Sequence, residues 1–411
     1  MKQLILFIII LSFGVVQMDA QPTKMSLQED YEELVDTKPH DSRDVWNRMA
    51  APVQLSWGST DIRYAKLNVP DISKKNHLSL AAWKGERIHA QAVLWTKQDL
   101  DDVTVSVSDL RNGSSVIPAS EISTHFVRYV MTDELNKDGK GGCGHRDNKA
   151  EWDSLLVADV LDIISVRDIP ACSTQPIWMK IRVPSDVKSG KYKGVMTVSG
   201  ANFQPMKLQF EVNVLRRTLP NPKDWALHLD LWQNPYAVAR YYQVPLWSQE
   251  HFDAMRPLMK MLADAGQKII TATLTHKPWN GQTEDYFETM VTWMKRADGT
   301  WAFDYTVFDR WVEFMMSVGI DQQINCYSMV PWELSFQYFD QATNSLKFVK
   351  TAPGEPAYEE MWVAMLTSFS KHLREKGWFD ICAIAMDERP MDVMQKTLKV
   401  IRKADPEFKV S

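Results

Sequence analysis

The hydrophobic period of this chain changes at Pro220-Asn221-Pro222, and that change limits the possible folds more than any other feature. Before it, apolar residues recur at every second position; after it, short apolar runs alternate with segments of helical period. One layered core does not hold both patterns over 411 residues, so two domains are expected, 21–220 and 221–411. The prolines make a stiff boundary, because proline has no amide donor with which to extend a strand.

Residues 21–220 read as all-β. In the run Met206 to Val214 the apolar residues Met206, Leu208, Phe210, Val212 and Val214 fall on one face. Val103, Val105 and Val107 repeat the pattern ahead of the turn-like Arg111-Asn112-Gly113. Ile177 to Val183 and Tyr192 to Val198 flank the turn residues Pro184-Ser185-Asp186 and Ser189-Gly190. Short strands punctuated by turns, with no long helical period, predict a β-sandwich.

Residues 221–411 alternate between the two periods. Strands are predicted at Trp225 to Trp232, Lys268 to Thr275, Gln323 to Ser328 and Ile381 to Met386. Helices are predicted at Glu250 to Ala265, Phe308 to Val318, Ala357 to Lys376 and Met391 to Lys403, with an insertion around Ala297-Asp298-Gly299. That order implies a parallel sheet, either open or closed into a barrel. Four strand–helix units and the beginning of a fifth strand at Lys409-Val410 fall short of a (β/α)8 barrel. The expected fold is multidomain α and β: an N-terminal β-sandwich, then the first half of a TIM-type (β/α)8 barrel, cut within the catalytic domain.

In such folds the reactive groups collect at the C-terminal ends of the strands, where the connecting loops converge. Asp387-Glu388 stands there, directly after the apolar run Ile381 to Met386. Where a strand ends the backbone leaves the pleat, so both side chains can turn toward one cavity. Neighbouring carboxylates resist double ionisation, which keeps one available as a general acid. The alternative is structural: the pair caps the following helix ahead of Pro390.

Several phrases in both halves resemble glycoside hydrolase family 123, the retaining β-N-acetylgalactosaminidases. In the first half they are Trp83-Lys-Gly-Glu-Arg87, Gln91-Ala-Val-Leu-Trp95, Phe126-Val-Arg-Tyr-Val130 and the run Val183 to Gly194. In the second they are Leu229-Asp-Leu-Trp-Gln-Asn-Pro235, Asp298 to Asp304, and Met386-Asp-Glu-Arg-Pro390. The resemblance implies that Asp387 and Glu388 are the catalytic pair of a substrate-assisted mechanism, an exception to the rule of two separated carboxylates. The 2-acetamido oxygen of the sugar would attack the anomeric carbon. Asp387 would orient the acetamido N–H, and Glu388 would protonate the leaving oxygen and then activate water. The family's catalytic domain runs well past position 411, which also implies truncation.

Other strand ends offer sugar contacts: Asp230, Trp232 and Gln233 after the first, His276 and Trp279 after the second, Tyr327 and Trp332 after the third. Tryptophan faces stack on pyranose rings, and Asp, Gln and His bond hydroxyls. Core packing is the alternative for each Trp, and a structural imidazole for His276. Strand-end placement assigns substrate contact to roughly half of these seven. Asp304 and Asp309 read as helix-start residues.

The net charge of −5 gives no footprint for nucleic acid or an anionic membrane. The 16 Trp residues hint at glycan binding, although core and surface packing accounts for most of them. Lys2, the apolar run Leu4 to Val16 and Ala20 read as a signal peptide over 1–20, too short to span a bilayer comfortably, so an exported, periplasmic or secreted protein is expected. Cys143 and Cys172 lie in loops and can pair in an oxidising compartment or remain thiols; Cys326 and Cys382 read as small buried hydrophobes. Nothing points to a cofactor, and His145 beside Cys143 lacks metal-site spacing. The expected partner is a glycan or glycolipid with a terminal N-acetylhexosamine. A family 20-like β-N-acetylhexosaminidase and a non-catalytic exported glycan-binding protein are the alternatives.

Overall fold

The computed structural model describes residues 33–36, 38–140, 148–281 and 285–411. The segment 1–20 expected to be a signal peptide, Cys143 and His145 lie outside the described residues. The protein is mixed α and β, mostly sheet, and divides into two compact units, Met1–Leu219 and Pro220–Ser411.

In the first unit, five antiparallel strands lie in the order Val53–Gly58, Arg87–Thr96, Ser173–Arg182, Ile122–Asn136 and Trp152–Leu161. A second sheet orders His77–Lys84, Met206–Thr218, Gly190–Ser199, Leu100–Val107 and Val166–Ile169, and the short strands Leu110–Asn112 and Ser115–Ile117 pair off its middle. Alternation decides which face each strand buries. Ala90, Ala92 and Leu94 of the first sheet share one core with Leu208, Phe210, Val212 and Val214 of the second. Trp57 ties the two sheets: its ring meets Phe210 edge-on at 5.8 Å, and its Nε1 donates to the Gln209 carbonyl at 2.9 Å.

In the second unit, four parallel strands lie side by side in sequence order: Ile269–Thr273, Gln323–Tyr327, Cys382–Ile384 and Lys409–Val410. Parallel neighbours require long crossovers, and these contain the helices Thr306–Ser317, Pro356–Lys376 and Met391–Ala404. Gly377 adopts φ 74° and closes the longest helix, as a left-handed C-terminal residue does. The core is built from Ile270, Ala272, Ile324, Cys326 and Ile384 of the sheet and Phe308, Trp311, Trp362 and Phe369 of the helices. Cys326 and Cys382 are fully buried in it, as their apolar surroundings predict, with sulfurs 3.5 Å apart. Much of the tryptophan surplus is core as well: Trp311 and Trp362 are inaccessible, and Trp311 Nε1 donates to the Thr271 carbonyl at 2.9 Å.

Two expectations need correction. The strand predicted from Trp225 to Trp232 is a single parallel bridge, Leu229 to Gln267. Side-chain amides replace its ladder. Gln267 accepts from Leu231 N at 2.8 Å and donates to the Ile269 carbonyl at 2.7 Å, and Gln233 Oε1 accepts from Thr271 N at 2.9 Å. The insertion is also larger than Ala297-Asp298-Gly299 suggests. Hairpins Thr292–Lys295/Trp301–Asp304 and Ser335–Asp340/Ser345–Lys350, from successive crossovers, join through Met294 and Lys295 into a separate four-stranded sheet. Each hairpin reads locally as a loop between longer elements, so the pairing between them leaves no periodic signal.

Gly266 ends the turn after helix Gln249–Asp264 at φ 91°, and a Cβ there would stand 2.7 Å from the Trp225 ring. Gly266→Ala is expected to cost about 1–3 kcal/mol through left-handed strain and overpacking. The check is urea denaturation; an unchanged midpoint would contradict the expectation.

Candidate active site

Three adjacent parallel strands fix the site. Backbone bonds bind their C-terminal ends into one platform: Leu274 N donates to the Tyr327 carbonyl at 2.5 Å, Ala385 N to the Cys326 carbonyl at 2.9 Å, and Trp332 N to the Pro278 carbonyl at 2.9 Å. Residues far apart in sequence therefore meet above the sheet.

Trp232, Trp279 and Tyr327 form a triangle of rings, with centroids 4.7 Å apart for the indole pair and 5.0 Å from each indole to the phenol. Their accessibility differs: Trp279 is buried among Tyr236, Phe287, Tyr327 and Ala385, whereas Trp232 is 47% exposed. Trp279 is thus backing for the platform and Trp232 its open surface. Burial and the charges of Asp230 and Asp387 push the Tyr327 phenol up to about 12, so it remains a neutral hydrogen-bonding group.

Asp387, which follows the third of these strands, is held from the segment after the second. Trp332 Nε1 donates to its Oδ2 at 2.9 Å, and Trp332 itself is 41% exposed. Beyond the indole lies the Arg389 guanidinium, its Cζ 5.7 Å from the ring centroid and its Nε donating to the Val330 carbonyl at 3.1 Å. Burial lowers the Arg389 pKa, and the charge of Asp387 opposes that shift. Glu388 is exposed beside Asp387. The capping alternative does not describe the pair: helix Met391–Ala404 begins after Pro390 with no side-chain cap bond, and Asp392 is the acid of its first turn.

Asp230 is half-buried below the aromatic triangle. Asn325 Nδ2 donates to its Oδ2 at 3.2 Å, while its buried Oδ1 has no bond of good geometry. The Gln267 amide lies near, committed to the carbonyls of Leu231 and Ile269. Burial raises the Asp230 pKa, and the Asn325 bond, the His228 charge and the Gln267 amide only partly oppose the shift. The enclosed Oδ1 and the raised pKa are two consequences of the same burial.

The remaining predicted residues divide. Gln233 is buried, with its amide bonded to backbone at Thr271, Ile269 and Leu231, so it braces the sheet edge rather than facing a ligand. His276 Nδ1 lies 2.6 Å from Glu288 Oε2, and its ring meets Phe348 of the second hairpin at 6.2 Å. Phe348 is 57% exposed. Asp304 accepts from Thr306 N at 2.8 Å at a helix start, and Asp309 sits in the first turn bonded to His372 at 2.7 Å, both as predicted. Asn325, Arg389 and Phe348 carry no assignment from sequence. Asn325 sits inside an apolar strand, a signal that was available; Phe348 depends on a hairpin the sequence does not announce.

Asp387 and Glu388 thus stand together at a strand end, with Asp387 bonded to the partly open indole of Trp332 and its charge felt by Tyr327 under Trp232, an arrangement compatible with a carbohydrate ligand. Comparison with known families agrees: residues 57–200 match the glycoside hydrolase 123 N-terminal domain and residues 232–411 match the glycoside hydrolase 123 catalytic domain. The chain belongs to glycoside hydrolase family 123. Among solved structures it is similar to a family 123 glycoside hydrolase from Clostridium perfringens, described for glycolipid glycan hydrolysis, at 29% identity and a TM-score of 0.78. That match covers 85% of this chain and 61% of the Clostridium chain, so the present chain spans less than two thirds of its relative's length. A Bacteroides ovatus GH5 xyloglucanase matches at 9% identity and a TM-score of 0.23 over 87% of this chain and 63% of that chain, too remote to bear on the fold. No curated protein matches.

The raised pKa of Asp230 gives a signed expectation. A carboxylate made less acidic by folding destabilises the native state once ionised, so this contribution to stability is intact below the ordinary aspartate value of 3.8 and declines as pH rises through the raised value. Asp230→Asn removes the charge and keeps the shape. It should be at least as stable as the parent at neutral pH, with less stability lost between acid and neutral pH. Thermal melts from acid to neutral pH test this, and a variant clearly less stable at pH 7 would contradict it.

Proposed function

We propose that this protein is a glycosidase that releases terminal β-linked N-acetylgalactosamine from glycans or glycolipids by a substrate-assisted, retaining reaction. The observation that carries the proposal is the indole bond to Asp387: Trp332 Nε1 holds Oδ2 at 2.9 Å, leaving Oδ1 to receive a donor from the ligand. The sugar's acetamido N–H is such a donor, and bonding it to Asp387 turns the acetamido oxygen toward the anomeric carbon. The oxygen attacks, the C–O bond to the leaving group breaks, and the cyclic oxazolinium ion carries the positive charge beside the carboxylate. Glu388 gives its proton to the leaving oxygen and takes one from the water that reopens the ring. Because the nucleophile belongs to the substrate, adjacent carboxylates suffice, where an ordinary retaining enzyme needs its pair about 5 Å apart across the ring.

Family membership and the likeness to the Clostridium enzyme, described for glycolipid glycans, support the reaction class and the substrate. Within this reading Trp232 is the stacking surface, Tyr327 and Asp230 are hydroxyl partners, and His276 with Phe348 lies toward the aglycone. The two sheets with a shared core read as a β-sandwich, and the sequential parallel strands as the first part of a (β/α)8 barrel. The leader sequence Lys2 to Ala20 supports export.

Asp387→Asn and Glu388→Gln are each expected to lower turnover of an aryl N-acetyl-β-galactosaminide by roughly 10²–10⁴-fold while the circular dichroism and melting point stay near the parent's. The matching aryl β-galactoside, which lacks the acetamido group, should not be cleaved. Near-parent activity in either variant, or ready cleavage of the plain galactoside, would defeat the mechanism.

A second expectation concerns Trp332. Trp332→Phe keeps a ring beneath Arg389 but removes the donor to Asp387, and the loss of one hydrogen bond to a charged group should cost about 1.5–3 kcal/mol of transition-state stabilisation. The fall should appear mainly in kcat. An effect confined to KM would make Trp332 a stacking residue only.

A further inference from the structure

The outer face of the five-stranded sheet, far in sequence from the carboxylates, holds a cavity whose wall is both apolar and hydrogen-bonding. In strand Ser173–Arg182 the residues Ile177, Met179 and Ile181 are buried in the shared core, so Trp178 between them turns to the opposite face. There its indole packs against a small cluster of Val127, Tyr129, Leu156 and Ala158 and remains half-exposed. It lines a cavity of about 430 Å3, with Ile62 and Leu161 among the other apolar residues at the wall. Both are open to solvent, at 48% and 36%.

The polar groups of this cavity are already held in position. Gln91, itself buried, donates from Nε2 to the carbonyls of Ser59 and Ile62 at 2.6 and 3.0 Å, which fixes the loop forming one wall. Trp178 Nε1 donates to His89 Nδ1 at 3.1 Å, so the proton of a neutral imidazole resides on Nε2 as a free donor. Burial, with the charges of Lys180 and Arg87 behind it, lowers the His89 pKa and favours that neutral form. Arg63 and Asp159 pair at 3.2 Å across the mouth, with 65% and 49% of their side chains exposed. Together they offer donors and an acceptor with no net charge.

We propose that this cavity is an accessory binding site for a neutral pyranoside, distinct from the site at Asp387. A pyranose has C–H faces that fit an indole and an equatorial rim of hydroxyls that both donate and accept, and the cavity presents both kinds of partner. The volume falls within the span of about 300–1,000 Å3 typical of small-ligand sites. The Arg63–Asp159 pair adds no net charge of its own, which suits an uncharged sugar. The proposal does not depend on the catalytic reading, since none of its residues takes part in hydrolysis.

The experiment is saturation-transfer NMR and calorimetry with methyl N-acetyl-β-galactosaminide and methyl β-galactoside, on the full chain carrying Glu388→Gln so that no substrate is consumed. Binding of at least one glycoside is expected, and Trp178→Ala should weaken it about tenfold or more, as loss of a stacking platform does. Because Trp178 also packs on the small cluster, the exposed change Arg63→Ala serves as a second variant and should weaken the same binding severalfold without altering the melt. Trp178→Ala in the otherwise native chain should leave hydrolysis of a small aryl glycoside unchanged. No binding by the Glu388→Gln chain, or binding insensitive to both Trp178→Ala and Arg63→Ala, would overturn the proposal. Failure of hydrolysis alone would leave it standing and count only against the catalytic reading.

Discussion

The parallel pairing of Ile269–Thr273, Gln323–Tyr327 and Cys382–Ile384 is the constraint on which the candidate site rests. Parallel neighbours oblige the chain to return each time to the same starting edge, so every strand delivers its last residue to the opposite edge. Tyr327, Trp332 and Asp387 meet there because their strands run in one direction. The crossovers that make this possible bury Trp311, Trp362 and Phe369 against the other side of the sheet. The same hydrophobic burial that stabilises the sheet therefore also fixes the height at which the carboxylates stand.

Around that edge the polar groups are committed to different degrees, and the differences separate scaffold from reactive surface. Gln233 and Gln267 have their amides fully engaged on backbone, where they serve in place of a regular first strand. Asp387 is engaged through one oxygen, and Asp230 keeps one oxygen buried without a bond of good geometry. A buried acceptor without a partner is costly, so Asp230 is the strained member of the group. Tyr327, buried beside Trp232 and kept neutral by burial and by two neighbouring acids, adds no charge to the platform.

Aromatic residues serve two purposes that composition cannot separate. Trp57, Trp311 and Trp362 are enclosed, and their large area is core. Trp232 and Trp332 belong to the same residue type and sit in similarly apolar sequence, yet nearly half of each surface is open. Trp279 stands between these cases, buried but in ring contact with Trp232 and Tyr327. On the first unit, strand alternation makes the equivalent distinction for Trp178, whose neighbours Ile177 and Met179 face the core.

Local periodicity carried the secondary structure. Strict alternation from Met206 to Val214 specified a strand and its buried face, and the spacing from Ala357 to Gly377 specified a long helix and its end, because both depend on residues within a few positions of one another. The position of Asp387-Glu388 after an apolar strand was likewise readable. Other features depended on partners distant in sequence. The segment Trp225 to Trp232 has the composition of a strand, but glutamine amides took the place of its ladder. The hairpins at 292–304 and 335–350 became one sheet only when two crossovers met. The sequence by itself determined the long helices, the alternating strands and which acids stand at a strand end. Only the tertiary structure decided that Trp332 holds Asp387, that Gln233 faces the backbone and that Trp232 is open, since each is a contact between segments that nothing local obliges to meet.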